Sequence, residues 1–67
     1  MTLNETFAKN LKRVRESKNL SIDDLAHISG LSAKFIEDAE QGMATVYLDD
    51  VEKICEALGV DPLELLG

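Results

Sequence analysis

Residues 21–42, Ser-Ile-Asp-Asp-Leu-Ala-His-Ile-Ser-Gly-Leu-Ser-Ala-Lys-Phe-Ile-Glu-Asp-Ala-Glu-Gln-Gly, constrain the chain more tightly than any other stretch. They read as two short helices joined by a tight turn, with a stop at each end. Ser21 can cap the first helix by accepting from an N–H that the first turn leaves without a partner, and Asp23 and Asp24 suit the positive helix end. Leu25 and Ala26 begin an inward face. Gly30 can take the left-handed conformation that ends a helix. Leu31 then turns inward, and Ser32 can cap the second helix. Phe35, Ile36 and Ala39 form that helix's apolar stripe at spacings of one, three and four, and Gly42 stops it.

A short helix, a turn of about four residues containing Gly and a second short helix make a helix-turn-helix unit. The spaced set Ser21, Leu25, Ala26, Gly30, Leu31, Ser32, Ile36, Glu40 and Gly42 closely resembles the phage-repressor helix-turn-helix family (Cro-like, xenobiotic-response-element type). The resemblance extends to Leu11-Lys12-Arg13-Val14-Arg15, which matches that family's first helix. Ile54, Ala57, Leu58, Gly59 and Val60 match its fourth. It implies an all-α, compact five-helix bundle containing the helix-turn-helix, usually a dimeric DNA-binding regulator of transcription. In the family a helix-1 arginine and the glutamate closing helix 3 commonly form an ion pair, and Arg15 and Glu40 fill those positions. Arg suits a planar, two-pronged bond to a carboxylate.

The remaining segments fit the same plan. Thr2 or Asn4 can cap helix 1, and Thr2-x-x-Glu5 is a capping-box pattern. Leu3, Phe7, Leu11 and Val14 share one face at spacings of four, four and three. Asn19 tolerates the left-handed conformation that would end this helix, and Leu20 packs back. Helix 2 is expected over 22–29 and helix 3 over 33–41. Met43-Ala44-Thr45-Val46 forms a loop in which Thr45 can cap helix 4. That helix runs to about residue 58 with Leu48, Val51, Ile54, Cys55 and Leu58 inward, and Gly59 terminates it. Asp61-Pro62 opens a short last helix, since Pro is at ease in the first helical position, and Leu63 and Leu66 close the core. Residues 1–67 therefore read as a single domain near the lower size limit for a self-sufficient core.

No apolar run approaches the ~18 residues of a membrane span, and no signal-peptide pattern opens the chain. The lone Cys55 can make no internal disulfide, so the expected compartment is the cytoplasm. With one Cys and one His (His27) far apart there is no metal-site spacing. Neither a nucleophile–base pair nor a Gly-rich phosphate loop is present, so neither enzyme nor cofactor is expected.

Charge complicates the DNA reading. The net charge is −6, unevenly spread. Residues 1–20 hold five basic groups (Lys9, Lys12, Arg13, Arg15, Lys18) against Glu5 and Glu16, a net +3. Residues 21–67 hold Lys34 and Lys53 against eleven acids, a net −9. The basic face of helix 1 is either a solvated face or a seat for an anionic partner.

By resemblance, the base-reading positions of helix 3 are Ser32, Ala33, Lys34, Glu37 and Asp38. The DNA backbone would meet Ile22, Met43 and Ala44, assisted by the helix-1 cations Lys12 and Arg13. Lys34 could donate to guanine, Ala33 touch a thymine methyl, and Glu37 or Asp38 accept from cytosine. The surface departs from the family pattern at Ile22, where glutamine is usual, and at Met43 and Ala44, where a cation is common. Asp23 and Asp24 also weaken the helix-2 N-terminus as a phosphate seat. Two functions therefore stand: a small dimeric regulator binding a double-stranded operator, and a protein-interaction module on the same scaffold with an acidic helix-2 and helix-3 face. Val46 and Tyr47 lie where family members often dimerise, and they either form a two-fold interface or finish the monomer's core.

Overall fold

The structure is a computed structural model that describes residues 3–67. Five helices follow in order: α1 (Leu3–Ser17), α2 (Ile22–Ser29), α3 (Ala33–Glu40), α4 (Leu48–Leu58) and α5 (Pro62–Leu66). The fold is all-α. Helix α1 packs on α3 and α5, α2 packs on α3 and α4, and α4 packs on α5.

Each helix sends one side chain to the centre. Leu11, Leu25, Ile36, Ile54 and Leu65 are fully buried, one from each of α1 to α5. Burying a side chain of this size contributes about 1.5–3 kcal/mol, so these five tie all five helices to one core. Phe7, Val14, Val51, Cys55 and Leu58 enclose them, and Leu20, Ile22 and Phe35 pack from the margin.

Local chemistry sets the helix ends. Asn19 holds φ +59° after α1, with its N–H donating to Glu16 C=O at 3.0 Å and that of Leu20 to Arg15 C=O at 3.2 Å. These two reversed bonds close the helix around a left-handed residue. After α3 the Gly42 N–H donates to Ala39 C=O at 3.2 Å and that of Met43 to Asp38 C=O at 2.8 Å, the same closure. Gln41 is the C-cap, so α3 ends one residue short of expectation.

Asn4 sits inside α1 rather than capping it. Thr2, and any statement about the Leu3 side chain, fall outside the described residues. Helix α4 starts after Tyr47, not Thr45: the Asp50 carboxylate reaches back to accept the Tyr47 N–H at 3.1 Å. Leu48 is 68% exposed, because it opens the helix where neighbouring Tyr47 and Asp49 also face solvent. Leu63 is 77% exposed, whereas Leu65 is fully buried. A single-turn helix has little periodicity of its own, and tertiary contacts set its rotation. Here the Asn10 side-chain amide in α1 donates to Leu65 C=O at 3.0 Å and pins α5 in place.

Candidate nucleic-acid interface

The interface is built on α2, the turn and α3. Ser21 and Asp24 cap α2 reciprocally: the Asp24 N–H donates to Ser21 Oγ at 3.0 Å, and the Ser21 N–H to Asp24 Oδ2 at 3.0 Å. The Ser21 N–H, and then its hydroxyl, hold the Asp24 carboxyl below its usual range. The turn depends on Gly30 at φ +76°, whose N–H donates to Ala26 C=O at 3.0 Å. The Ser29 hydroxyl donates to Ala26 C=O and accepts the Leu31 N–H, both at 3.3 Å. Ser32 caps α3, its Oγ accepting the Phe35 N–H at 3.0 Å. The N–H groups of Asp24, Gly30, Leu31 and Phe35 all find short-range partners, which holds α3 at a set angle to α2.

Helix α3 buries Ile36 and Ala39, half-buries Ala33 and Phe35, and turns its other side outward. Lys34, Glu37, Asp38 and Gln41 form a stripe along that outer side at spacings of three, one and three, next to the exposed cap Ser32. Lys34 Nζ lies 3.0 Å from Asp38 Oδ1, one turn along the helix. Gln41 was missed by reading the sequence alone; continuing the outward period past Asp38 would have reached it.

The backbone-contact positions separate into groups. Lys12, Ile22, Glu37 and Gln41 line one groove together with Arg15 and Glu40. A helix-1 cation therefore stands beside the end of α3 and the start of α2. Arg13 lies elsewhere, lining a groove along α1 with Lys9, Asn10, Lys12 and Glu16, where its Nη2 donates to Asn10 Oδ1 at 3.2 Å. Met43 is 73% exposed beyond α3, while Ala44 is half-buried against the core. Val46 is likewise half-buried against the core, and Tyr47 is 68% exposed.

Arg15 and Glu40 lie beneath this surface. Arg15 Nε donates to Glu40 Oε2 at 2.6 Å and Nη2 to Oε1 at 3.0 Å. The hydrogen bond to Glu40 raises the Arg15 pKa, and burial opposes it. Cys55 is buried, and burial first, then the charge of Asp61, pushes its thiol pKa up. Among the described residues no cluster of His, Cys, Asp or Glu has the arrangement of a metal site, and no helix is long and apolar enough to cross a membrane.

Residues 10–67 match the family model of the Cro/C1-type helix-turn-helix DNA-binding domain. The chain belongs to the Cro/C1-type family. It is 43% identical over 61 residues to Control protein C.BamHI of Bacillus amyloliquefaciens, covering 90% of this chain and 75% of that protein. The structure superposes with a TM-score of 0.90 on the restriction-modification controller protein C.AhdI from Aeromonas hydrophila, at 34% identity, covering 92% of this chain and 94% of that one. It is also similar to the hypothetical transcription factor NHTF from Neisseria, at TM-score 0.94 and 30% identity over 98% of this chain and 76% of that one. Of the two functions left open by charge, the family match, the control-protein relative and the solved controller support DNA binding, and none of them supports the interaction module. This chain is a DNA-binding transcriptional regulator of the Cro/C1 type.

Proposed function

We propose that this regulator is a homodimeric operator-binding controller of the kind that serves a restriction-modification system. The observation that carries this reading is its 43% identity to a control protein across 90% of the chain. The similarity to a solved restriction-modification controller over nearly the full length of both chains supports it. Helix α3 enters the major groove, with Ser32, Lys34, Glu37 and Asp38 facing base edges and the half-buried Ala33 at their margin. Lys12, Ile22, Met43 and Ala44 approach the phosphates on either side, and Arg13 adds longer-range attraction.

Two copies meet through the α4 entrance. Tyr47 and Leu48 are adjacent, apolar and each 68% exposed, and Val46 lies beside them in sequence. Contiguous exposed apolar residues of this kind mark an interaction surface more often than scattered single ones do. A two-fold interface would place the α3 helices one helical turn of DNA apart. The working compartment is the cytoplasm, where DNA and a reduced Cys55 coexist.

Hydroxyl-radical footprinting on the DNA upstream of the protein's own gene tests the proposal. The expected result is two protected half-sites with centres about 10 bp apart, lost on Leu48→Asp. A single protected site, or protection unchanged by Leu48→Asp, would overturn the dimer arrangement. No protection would overturn the operator reading.

A further inference from the structure

Helix α3 carries its charges against its own dipole. The first turns of α1, α2, α4 and α5 each contain an acid, as the positive helix end favours. The first turn of α3 contains none and instead carries Lys34, while Asp38 lies in its second half. Lysine ahead of the acid is also the weaker order for a pair four residues apart. Helix stability is therefore a weak reason for the pair. Both groups nevertheless lie on the outward stripe, joined at 3.0 Å, with side-chain exposures of 79% and 28%. The hydrogen bond to Asp38 raises the Lys34 pKa.

The joined pair is a compact donor–acceptor unit. Lys34 Nζ has three N–H donors, of which one goes to Asp38 Oδ1. Two remain to point away from the helix. Asp38 Oδ2 takes no hydrogen bond among the described residues and can accept one. The edge of a guanine·cytosine pair in the major groove offers the complement. Guanine N7 and O6 are acceptors, and cytosine N4–H is a donor, separated from O6 by about 2.9 Å, the length of the hydrogen bond joining them. An adenine·thymine pair presented in the same direction keeps an N7 acceptor for the ammonium but puts the adenine N6–H donor where guanine has O6, and the thymine O4 acceptor against the carboxylate. Those last two contacts are repulsive, so discrimination rests on them.

We infer that Lys34 and Asp38 act as one unit that reads a single guanine·cytosine pair in each half-site, Lys34 donating to guanine and Asp38 accepting from cytosine. The inference rests on the placement of α3 in the major groove proposed above. It makes Asp38 a determinant of specificity and not merely a negative charge to be tolerated near phosphate.

Selection of bound duplexes from a randomised 20-bp library, using the wild type, Lys34→Ala, Asp38→Ala and the double variant, separates the possibilities. The two side chains are 79% and 28% exposed, and circular dichroism of each variant is the check that it folds. The wild type is expected to enrich a motif with one guanine·cytosine position per half-site, preferred over adenine·thymine by about tenfold or more. Asp38→Ala is expected to remove most of that preference at that position alone, while total DNA binding holds or rises because a like charge has gone. The double variant is expected to relax that position no further than either single change, as coupled groups do. Asp38→Ala strengthening all sequences equally, with every position's preference intact, would overturn the inference and leave the α3 reading standing. A wild-type motif that neither single variant alters would overturn the placement of α3 as well. Enrichment of no motif would overturn sequence-specific binding itself.

Discussion

Arg15 and Glu40, twenty-five residues apart, meet through two parallel hydrogen bonds while Arg15 Nη1 donates to Leu20 C=O at 2.6 Å. One guanidinium thus joins the end of α1, the end of α3 and the segment entering α2. Their side chains are only 10% and 6% exposed. This clamp sets how the helix-turn-helix sits on α1, and so how far Lys12 stands from the outer face of α3. Removing one partner of a buried pair strands the other charge. Arg15→Ala and Glu40→Ala are each expected to lower stability by about 3 kcal/mol or more, measured by urea unfolding. Arg15→Lys keeps the charge but loses the fork, and is expected to fall between. Because folding raises the Arg15 pKa, its contribution is full below the ordinary arginine value and is lost only above it, so alkaline pH up to about 12 should not weaken it. A loss under about 0.5 kcal/mol on Arg15→Ala would contradict the clamp.

The seating of α5 makes a contrasting pair. Leu65→Ala opens a cavity in the centre and is expected to cost about 2–5 kcal/mol. Leu63→Ala removes a side chain that is 77% exposed and is expected to change stability by less than about 0.5 kcal/mol. Thermal or urea unfolding of the two variants checks both. The opposite ranking would mean that α5 is rotated relative to this structure.

Why the α5 setting was illegible in the sequence, while the helix-turn-helix was legible, follows from the range of the interactions involved. Ser21, Gly30 and Ser32 make caps and a turn from bonds within four residues, and such chemistry is visible in the order of residues. The inward faces of α1 to α3 likewise repeat at helical spacing. Rotation of the five-residue α5 depends on Asn10, fifty-five residues from Leu65, and no local pattern encodes that. The start of α4 was readable in principle, since Asp50 lies three residues after Tyr47, but Thr45 offered the more familiar cap. In the interface, Lys34, Glu37 and Asp38 were reached through the family resemblance, which also included the half-buried Ala33 and left out the exposed Gln41. The Lys34–Asp38 bond was a matter of rotamers, and the separation of Lys12 from Arg13 required the packed helices.

The reciprocal cap of α2 gives a pH signature. Folding depresses the Asp24 pKa, so the stabilisation it provides is present above the ordinary carboxylate range and is lost as pH falls through the depressed value. The stability difference between wild type and Asp24→Asn should be largest near neutral pH and shrink below about pH 4. Thermal melts from pH 7 to pH 2.5 measure it. A difference that stays constant across that range would show that the carboxylate charge contributes nothing to the cap.

In the proposed function, a chain of net charge −6 binds DNA specifically through the outer face of α3, with helix-1 cations supplying attraction to phosphate. Binding to the DNA upstream of its own gene, against a scrambled duplex of the same composition, across a salt series from about 50 to 300 mM, tests it most directly. The predicted result is a preference for the upstream duplex whose log affinity falls linearly with log salt, by about 0.9 for each phosphate neutralised. Lys12→Ala is predicted to reduce that slope by about 1 without changing the preference. Equal affinity for both duplexes, or no binding at the lowest salt, would contradict the claim.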